Sequence, residues 1–538
     1  MKKRGSLFTA LLLTAVMILS ACSGGQAPAP AGDGGNAGQD AAQAQGSDAG
    51  AAENVELSIL VNMDWFFMDN WGGRPVDDVI TRETGVSLNV TRVADDQQLP
   101  VLMASNQLPD LVYTDSMLLE LSNDNQCYEL GEFFRQYAPN MPLPNEQTGI
   151  AKRDDGNFYY LVNFWKTQKE WDDPHFLPSV GSSGLMYRED ILAETGMQLP
   201  TSMDELEALL IKVKELYPSI VPLALYSEGE RYTFFINQYM VDSPSYMIAE
   251  DNGDWSYFAG TDAYRDGMRT LNRFAQQGLL IPEMFTLMYE QYIQETQSGN
   301  VFMWIDDSSN LEMNNNAFQT MGLDSARAAF MKSAVYQEAP YPYVDPSGGW
   351  AGTFVTKNNK NPEATARFLE WMTSDEAGKL VGWGIEGQHY NPDSNGYPIL
   401  TPDVARMWVE DYDKTVRDTG VGAWFFGTNA WYESVRIYAP EENPPMTEYL
   451  MYVKSNQKME PALATLRPNP NTDESAALAS LNNTVKTYYP RIIFARDGNE
   501  FERIMDELQS QMATQGLLQY NDWAANRWTH LKQVYGIS

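Results

Sequence analysis

Three histidines and two cysteines in 538 residues leave little material for metal or thiol chemistry. His175, His389 and His530 lie far apart, and none stands in a His-Glu-x-x-His arrangement, which argues against a zinc site. Basic residues are scarce as well: 37 Lys and Arg face 72 Asp and Glu, a formal net charge of −35. That balance repels phosphates and excludes nucleic acid as a partner. There is no Gly-x-Ser-x-Gly elbow, no repeat of fixed period and, beyond the first 22 residues, no apolar run long enough to cross a bilayer. Acids are so abundant that no glycosidase-type carboxylate pair can be singled out among them.

The amino terminus carries a basic start (Lys2, Lys3, Arg4), an apolar stretch from Leu7 to Leu19 and then Leu19-Ser20-Ala21-Cys22. This pattern reads as an export signal over residues 1–21. Small residues before a cysteine are similar to the lipobox of bacterial lipoproteins, which implies that Cys22 is acylated and anchors the chain to a membrane. Residues 22–54 are almost all Ala, Gly, Gln, Asp, Ser, Pro and Asn, with too little apolar surface to fold, and are expected to be a flexible tether. With Cys22 committed to the anchor, Cys127 has no partner for an internal disulfide. Stability then rests on packing, and a chain with 43% hydrophobic residues supplies enough for two domains.

The body opens in alternation: Val55, Leu57, Ile59 and Val61 have the period of a strand, and Val86, Leu88 and Val90 repeat it. "LPVLMASNQLPDLVYTD" reads as a helix, a turn at Pro109 and a strand entering at Leu111. A second such series starts after Gly184, with a helix stopped at Gly196 and another opened by a capping box from Ser202 to Glu205. "VPLALY" and "NVFMWID" read as buried strands, and a further strand spans Gly352–Thr356 before a helix begun by Pro362. The alternation of strands and helices predicts an α/β protein.

These segments occur in a recognisable order. "ASNQLPDLVY", "REDILAETGMQLPTSMDEL", "FAQQGLLIPE", "SGNVFMWID", "NPEATARFLEWMTSDEA" and "GIEGQHY" resemble motifs of the bacterial extracellular solute-binding proteins, family 1, in the large lipoprotein branch that serves carbohydrate ABC importers. Asn106-Gln107 stand where that family usually has Gly-Asp, and Asn tolerates the left-handed turn better than most residues. The resemblance implies a two-lobe, periplasmic-binding-protein-like (type II) fold with discontinuous lobes joined by hinge strands. Lobe one would take 55–180 and 345–390; lobe two would take 181–344 and 391–538. It further implies a monomeric, lipid-anchored receptor on the outer face of the cytoplasmic membrane. Such a receptor captures an oligosaccharide between its lobes and passes it to the permease subunits of an ABC importer, without cofactor or catalysis. A peptide-binding receptor of the same build, or a surface glycosidase or lyase, is the alternative.

Ligands of open α/β sheets bind beyond the carboxyl ends of strands, and aromatic faces pack on sugar rings. The residues so placed are Asp64, Trp65, Asp115 and Trp165, then Tyr226, Glu228, Arg231, Trp304 and Asp306, and finally Trp350 where the chain crosses back. The four tryptophans are expected to stack, with Asp64, Asp115, Asp306 and Arg231 holding hydroxyls. In "GIEGQHY", Glu386 and His389 follow a helix stop and read first as a satisfied structural pair, with a place at the cleft edge or a catalytic role as alternatives. "NPDSNGYP" (391–398) reads as a turn on Asn395-Gly396 rather than a calcium loop.

Overall fold

The computed structural model describes residues 54–535 apart from 64–65, 94–96, 154, 178–182, 227–246, 250–254, 332–342, 346, 433–443, 456, 467 and 470–471. The signal, Cys22 and the tether lie outside the described residues, as do Asp64, Trp65, Glu228 and Arg231. No helix among the described residues is long and apolar enough to cross a membrane.

Two sheets organise the body. The first is built from β1 (Val55–Asn62), β2 (Val86–Arg92), β3 (Leu111–Thr114) and β4 (Tyr160–Val162). The second is built from β5 (Ser183–Arg188), β6 (Val221–Ala224), β7 (Val301–Asp307) and β8 (Ala328–Phe330), after which β9 (Gly352–Val355) returns to the first. Strand order is β2-β1-β3-β9-β4 in the first and β8-β5-β7-β6 in the second. β1 runs parallel to β2 and β3, while β9 is antiparallel to β3 and β4, so Gly352 lies opposite both Thr114 and Val162. One edge of the first sheet therefore gathers the ends of β1, β3 and β4 with the start of β9.

Each sheet has its own core. One cluster holds Leu57 to Phe164 with Ala351 to Tyr432; the other holds Leu177 to Met331 with Met446 to Leu531. Among the described residues, core membership changes between Phe164 and Leu177, between Met331 and Ala351, and between Tyr432 and Met446. This corrects the expectation that everything past 391 belongs to lobe two. Val416, Val421, Trp424 and Phe426 pack in the first core, and the Trp424 indole donates to Asp77 Oδ1 at 2.6 Å. Asp77 is fully buried and also accepts from Arg74 Nε at 2.6 Å, so this polar knot ties a late segment to the first helix of the body.

Local chemistry explains most element ends. Gly85, Gly196 and Gly420 close helices in the left-handed conformation, at φ 67°, 70° and 78°. Asn106 stands at φ 54°, so the turn between helix Gln98–Ala104 and β3 survives without the family's glycine. Asp110 fixes that turn by accepting from Ser58 Oγ at 2.6 Å and Ser58 N at 2.9 Å. The expected capping box is displaced by one residue: Ser202 Oγ accepts from Glu205 N at 3.2 Å, but the Glu205 carboxylate bonds Thr201 rather than Ser202.

Candidate functional site

At the gathered edge of the first sheet, strand ends turn polar. Asn62, the last residue of β1, donates to Thr114 Oγ1 and Ser116 Oγ, both at 3.0 Å. Its Oδ1 is buried with no hydrogen-bond partner among the described residues. Asp115 follows β3 and is exposed. Tyr113, two residues back, is fully buried, and its hydroxyl accepts from Asn163 Nδ2 at 3.0 Å. Burial first, then Tyr432 and Asp115 nearby, pushes the Tyr113 phenol well above its usual pKa, so it stays neutral.

Three segments beyond the strand ends are knitted together here. Phe164 N donates to Thr428 O at 2.6 Å, Ala430 N to Trp165 O at 2.8 Å, and Trp165 Nε1 to Gly427 O at 3.1 Å. Lys166 N donates to Ser347 O at 2.8 Å and Gly349 N to Asn163 O at 2.7 Å. Phe164 (φ 53°) and Ser347 (φ 68°) both hold left-handed conformations that non-glycine residues adopt at a cost of about 1 to 2 kcal/mol. Phe164 stacks on Tyr432 with centroids 4.8 Å apart, and Trp350 stands edge-on to Phe164 and Phe425, 6.3 Å from each. Trp350 is 42% exposed and is the only exposed tryptophan among the described residues. Asp115, a half-buried Trp165 and an outward Trp350 thus flank the strand ends gathered at this edge. Asn62, Tyr113 and Asn163 were missed; their only signal is a polar group within or just past an apolar strand.

The second sheet treats its strand ends differently. Trp304 is fully buried in the core, because β7 is covered on both faces, so its ring is a packing element and not an offered surface. Asp306 is also fully buried; its Oδ1 accepts from Asn310 Nδ2 at 3.0 Å and from Asp307 N at 2.8 Å. Tyr226 is 3% exposed, with Tyr289 and Tyr292 rings 5.4 and 5.1 Å away. All three are buried away from their expected ligand-contacting place: Tyr289 and Tyr292 pack against Tyr226, Asn310 bonds Asp306, and Trp304 lies within the core.

Glu386 and His389 do not pair. Glu386 is exposed, whereas His389 is buried and its Nδ1 accepts from Ile385 N at 2.9 Å. A Cβ on Gly384 (φ 82°) would lie 2.6 Å from that Nδ1, so the glycine stop and the imidazole fit only each other. Burial lowers the His389 pKa. Asp393 folds the following turn by accepting from Asn395 N at 2.8 Å and Tyr397 N at 2.9 Å.

The family model described as bacterial extracellular solute-binding protein matches residues 74–379. The chain belongs to this family. A curated member, the fructooligosaccharide ABC transporter substrate-binding protein FusA of Streptococcus pneumoniae serotype 4, is 20% identical over 334 residues. That alignment takes 57% of this chain and 59% of the relative's own length. Among solved solute-binding proteins, a FusA EF-hand mutant in complex with fructo-nystose superposes with a TM-score of 0.65 at 14% identity, covering 90% of this chain and all of the other. The alginate-binding protein AlgQ2, solved without calcium ion, gives 0.62 at 20% identity, covering 89% and 98%. NgtS, an N-glycan transport solute-binding protein of Streptococcus pneumoniae, gives 0.59 at 12% identity, covering 89% and 99%. The chain shares the two-lobe type II fold of these solute-binding proteins.

Proposed function

We propose that this chain is the oligosaccharide receptor of an ABC importer, holding its ligand between the lobes and releasing it unaltered to the permease. The observation that carries the reading is Trp350, an exposed indole edge-on to Phe164 and Phe425, at the same gathered strand ends that Asp115 and Trp165 follow and where ligands of this architecture bind. An indole face desolvates a sugar ring, while carboxylate and amide oxygens accept from its hydroxyls. The names of the related FusA, AlgQ2 and NgtS proteins, each a saccharide binder, support the same class. Asp64, Trp65, Glu228 and Arg231, outside the described residues, are retained as further contacts. Asn62 joins them as an acceptor. We place the lobe boundaries near 163–182, 331–351 and 433–445, with an acyl anchor on Cys22 tethering a monomeric body to the outer face of the cytoplasmic membrane.

Calorimetric titration of the protein with neutral oligosaccharides, uronate oligomers and peptides tests the ligand class. Saccharide binding with unchanged sugar afterwards supports the reading. Binding of peptides alone, or cleavage of the sugar, overturns it. Incorporation of a fatty-acid analogue that is lost in Cys22→Ser tests the anchor; an unlabelled wild-type protein removes it.

A further inference from the structure

Resting on the reading of Trp350 as a ligand-stacking residue, we infer that Asn163 is the positioning residue that sets where the Trp350 ring stands. Asn163 is fully buried at the point where the first crossover leaves β4. Its backbone carbonyl accepts from Gly349 N at 2.7 Å, and its backbone N–H donates to Ala351 O at 3.1 Å. Its side-chain Oδ1 accepts from Ala351 N at 3.0 Å. The residues on both sides of Trp350 are thus clamped by one asparagine. The remaining donor, Nδ2, is spent on the Tyr113 hydroxyl, which anchors the amide to the end of β3.

The clamp leaves no room for variation. A Cβ on Gly349 would overlap Asn163 Oδ1 and come within 2.9 Å of its carbonyl oxygen. A Cβ on Gly348 would lie 3.0 Å from Val162. Two glycines therefore let this loop approach close enough for the asparagine to reach over it. An exposed side chain loses rotamer entropy on binding, and a rigid backbone beneath it lowers that loss. Asn163 touches no ligand in this scheme; it acts through Trp350.

The test uses the full chain labelled with 5-fluorotryptophan, read by fluorine NMR without ligand. The Trp350 line is identified by its loss in Trp350→Phe. In Asn163→Ala that line should shift and broaden, while lines of tryptophans in the second core, such as Trp304, hold their positions. Gly349→Ala, which pushes on the same clamp from the other side, should reproduce the shift and serves if Asn163→Ala does not fold. An unmoved Trp350 line in the folded variant overturns the inference. A second arm titrates kestose, maltotriose and cellotriose. Asn163→Ala should weaken the best of them about tenfold, and adding it to Trp350→Ala should weaken binding no further. Additive losses overturn the inference. If Trp350→Ala itself loses no affinity for a saccharide that binds, the stacking reading fails, and the ligand-free spectrum still decides the role of Asn163.

Discussion

Two tryptophans expected to stack on ligand have opposite environments: Trp350 is 42% exposed above the first sheet, whereas Trp304 is fully buried in the middle of β7 in the second. Trp350 precedes β9 on a loop, while Trp304 sits within a strand buried along nearly its whole length, and that placement decides the outcome. Over the first sheet Gly348 and Gly349 keep the backbone close to Val162 and Asn163 just before the exposed Trp350 ring. Over the second, Tyr289, Tyr292 and Asn310 fold back upon the strand ends and close them. A strand end is therefore a candidate site only where the next element does not return over it.

The largest expected effect breaks the closed side. Trp304→Ala removes a fully buried indole and should destabilise the protein by about 3 to 5 kcal/mol, read by denaturant unfolding. Unchanged stability with lost affinity would return Trp304 to the ligand. Asp306→Ala removes the acceptor of Asp307 N and one of the two acceptors of Asn310 Nδ2, and should cost about 1 to 3 kcal/mol in the same measurement.

On the open side the pattern reverses. Trp350→Ala should weaken saccharide binding about 5- to 150-fold, roughly 1 to 3 kcal/mol, with stability altered by less than about 0.5 kcal/mol. A matched fall in melting temperature would make Trp350 a packing residue too.

The smallest effect is a pH dependence in the first lobe. Burial lowers the folded pKa of His389, so folding favours the neutral ring. Its contribution is present in full above the unfolded value of about 6.5 and is lost as pH falls from there through the lower folded value. Unfolding midpoints between pH 7 and 5 should fall less in His389→Gln than in the wild-type protein. Parallel curves would show that the imidazole does not titrate with folding.

The strands and helix stops were legible because they rest on local chemistry: alternation in β1, left-handed Gly196, and Asn106 in place of glycine. "NVFMWID" even read correctly as a buried strand, and that reading already told against Trp304 as a contact. The second core's closure was not legible, since Tyr226 meets Tyr289 through packing that no spacing records. Likewise the Asp77–Trp424 bond spans 347 residues, so the packing of Val416 to Tyr432 in the first core leaves no local trace. Glu386 and His389 show the limit of proximity: three positions apart, one is exposed and the other buried.

That same Asp77–Trp424 bond sets an order of events for the newly made chain. Synthesis delivers the first helix long before the segment that completes its polar knot, and the whole first block of the second lobe emerges between them. Until Trp424 arrives, Asp77 and Arg74 have an incomplete partner set and the first core lacks Val416, Val421 and Phe426. The first lobe to be started is thus finished only after most of the chain exists, and closing so long a loop is slow. A ribosome-bound intermediate would hold an unfinished, aggregation-prone lobe, the form on which a holding chaperone acts.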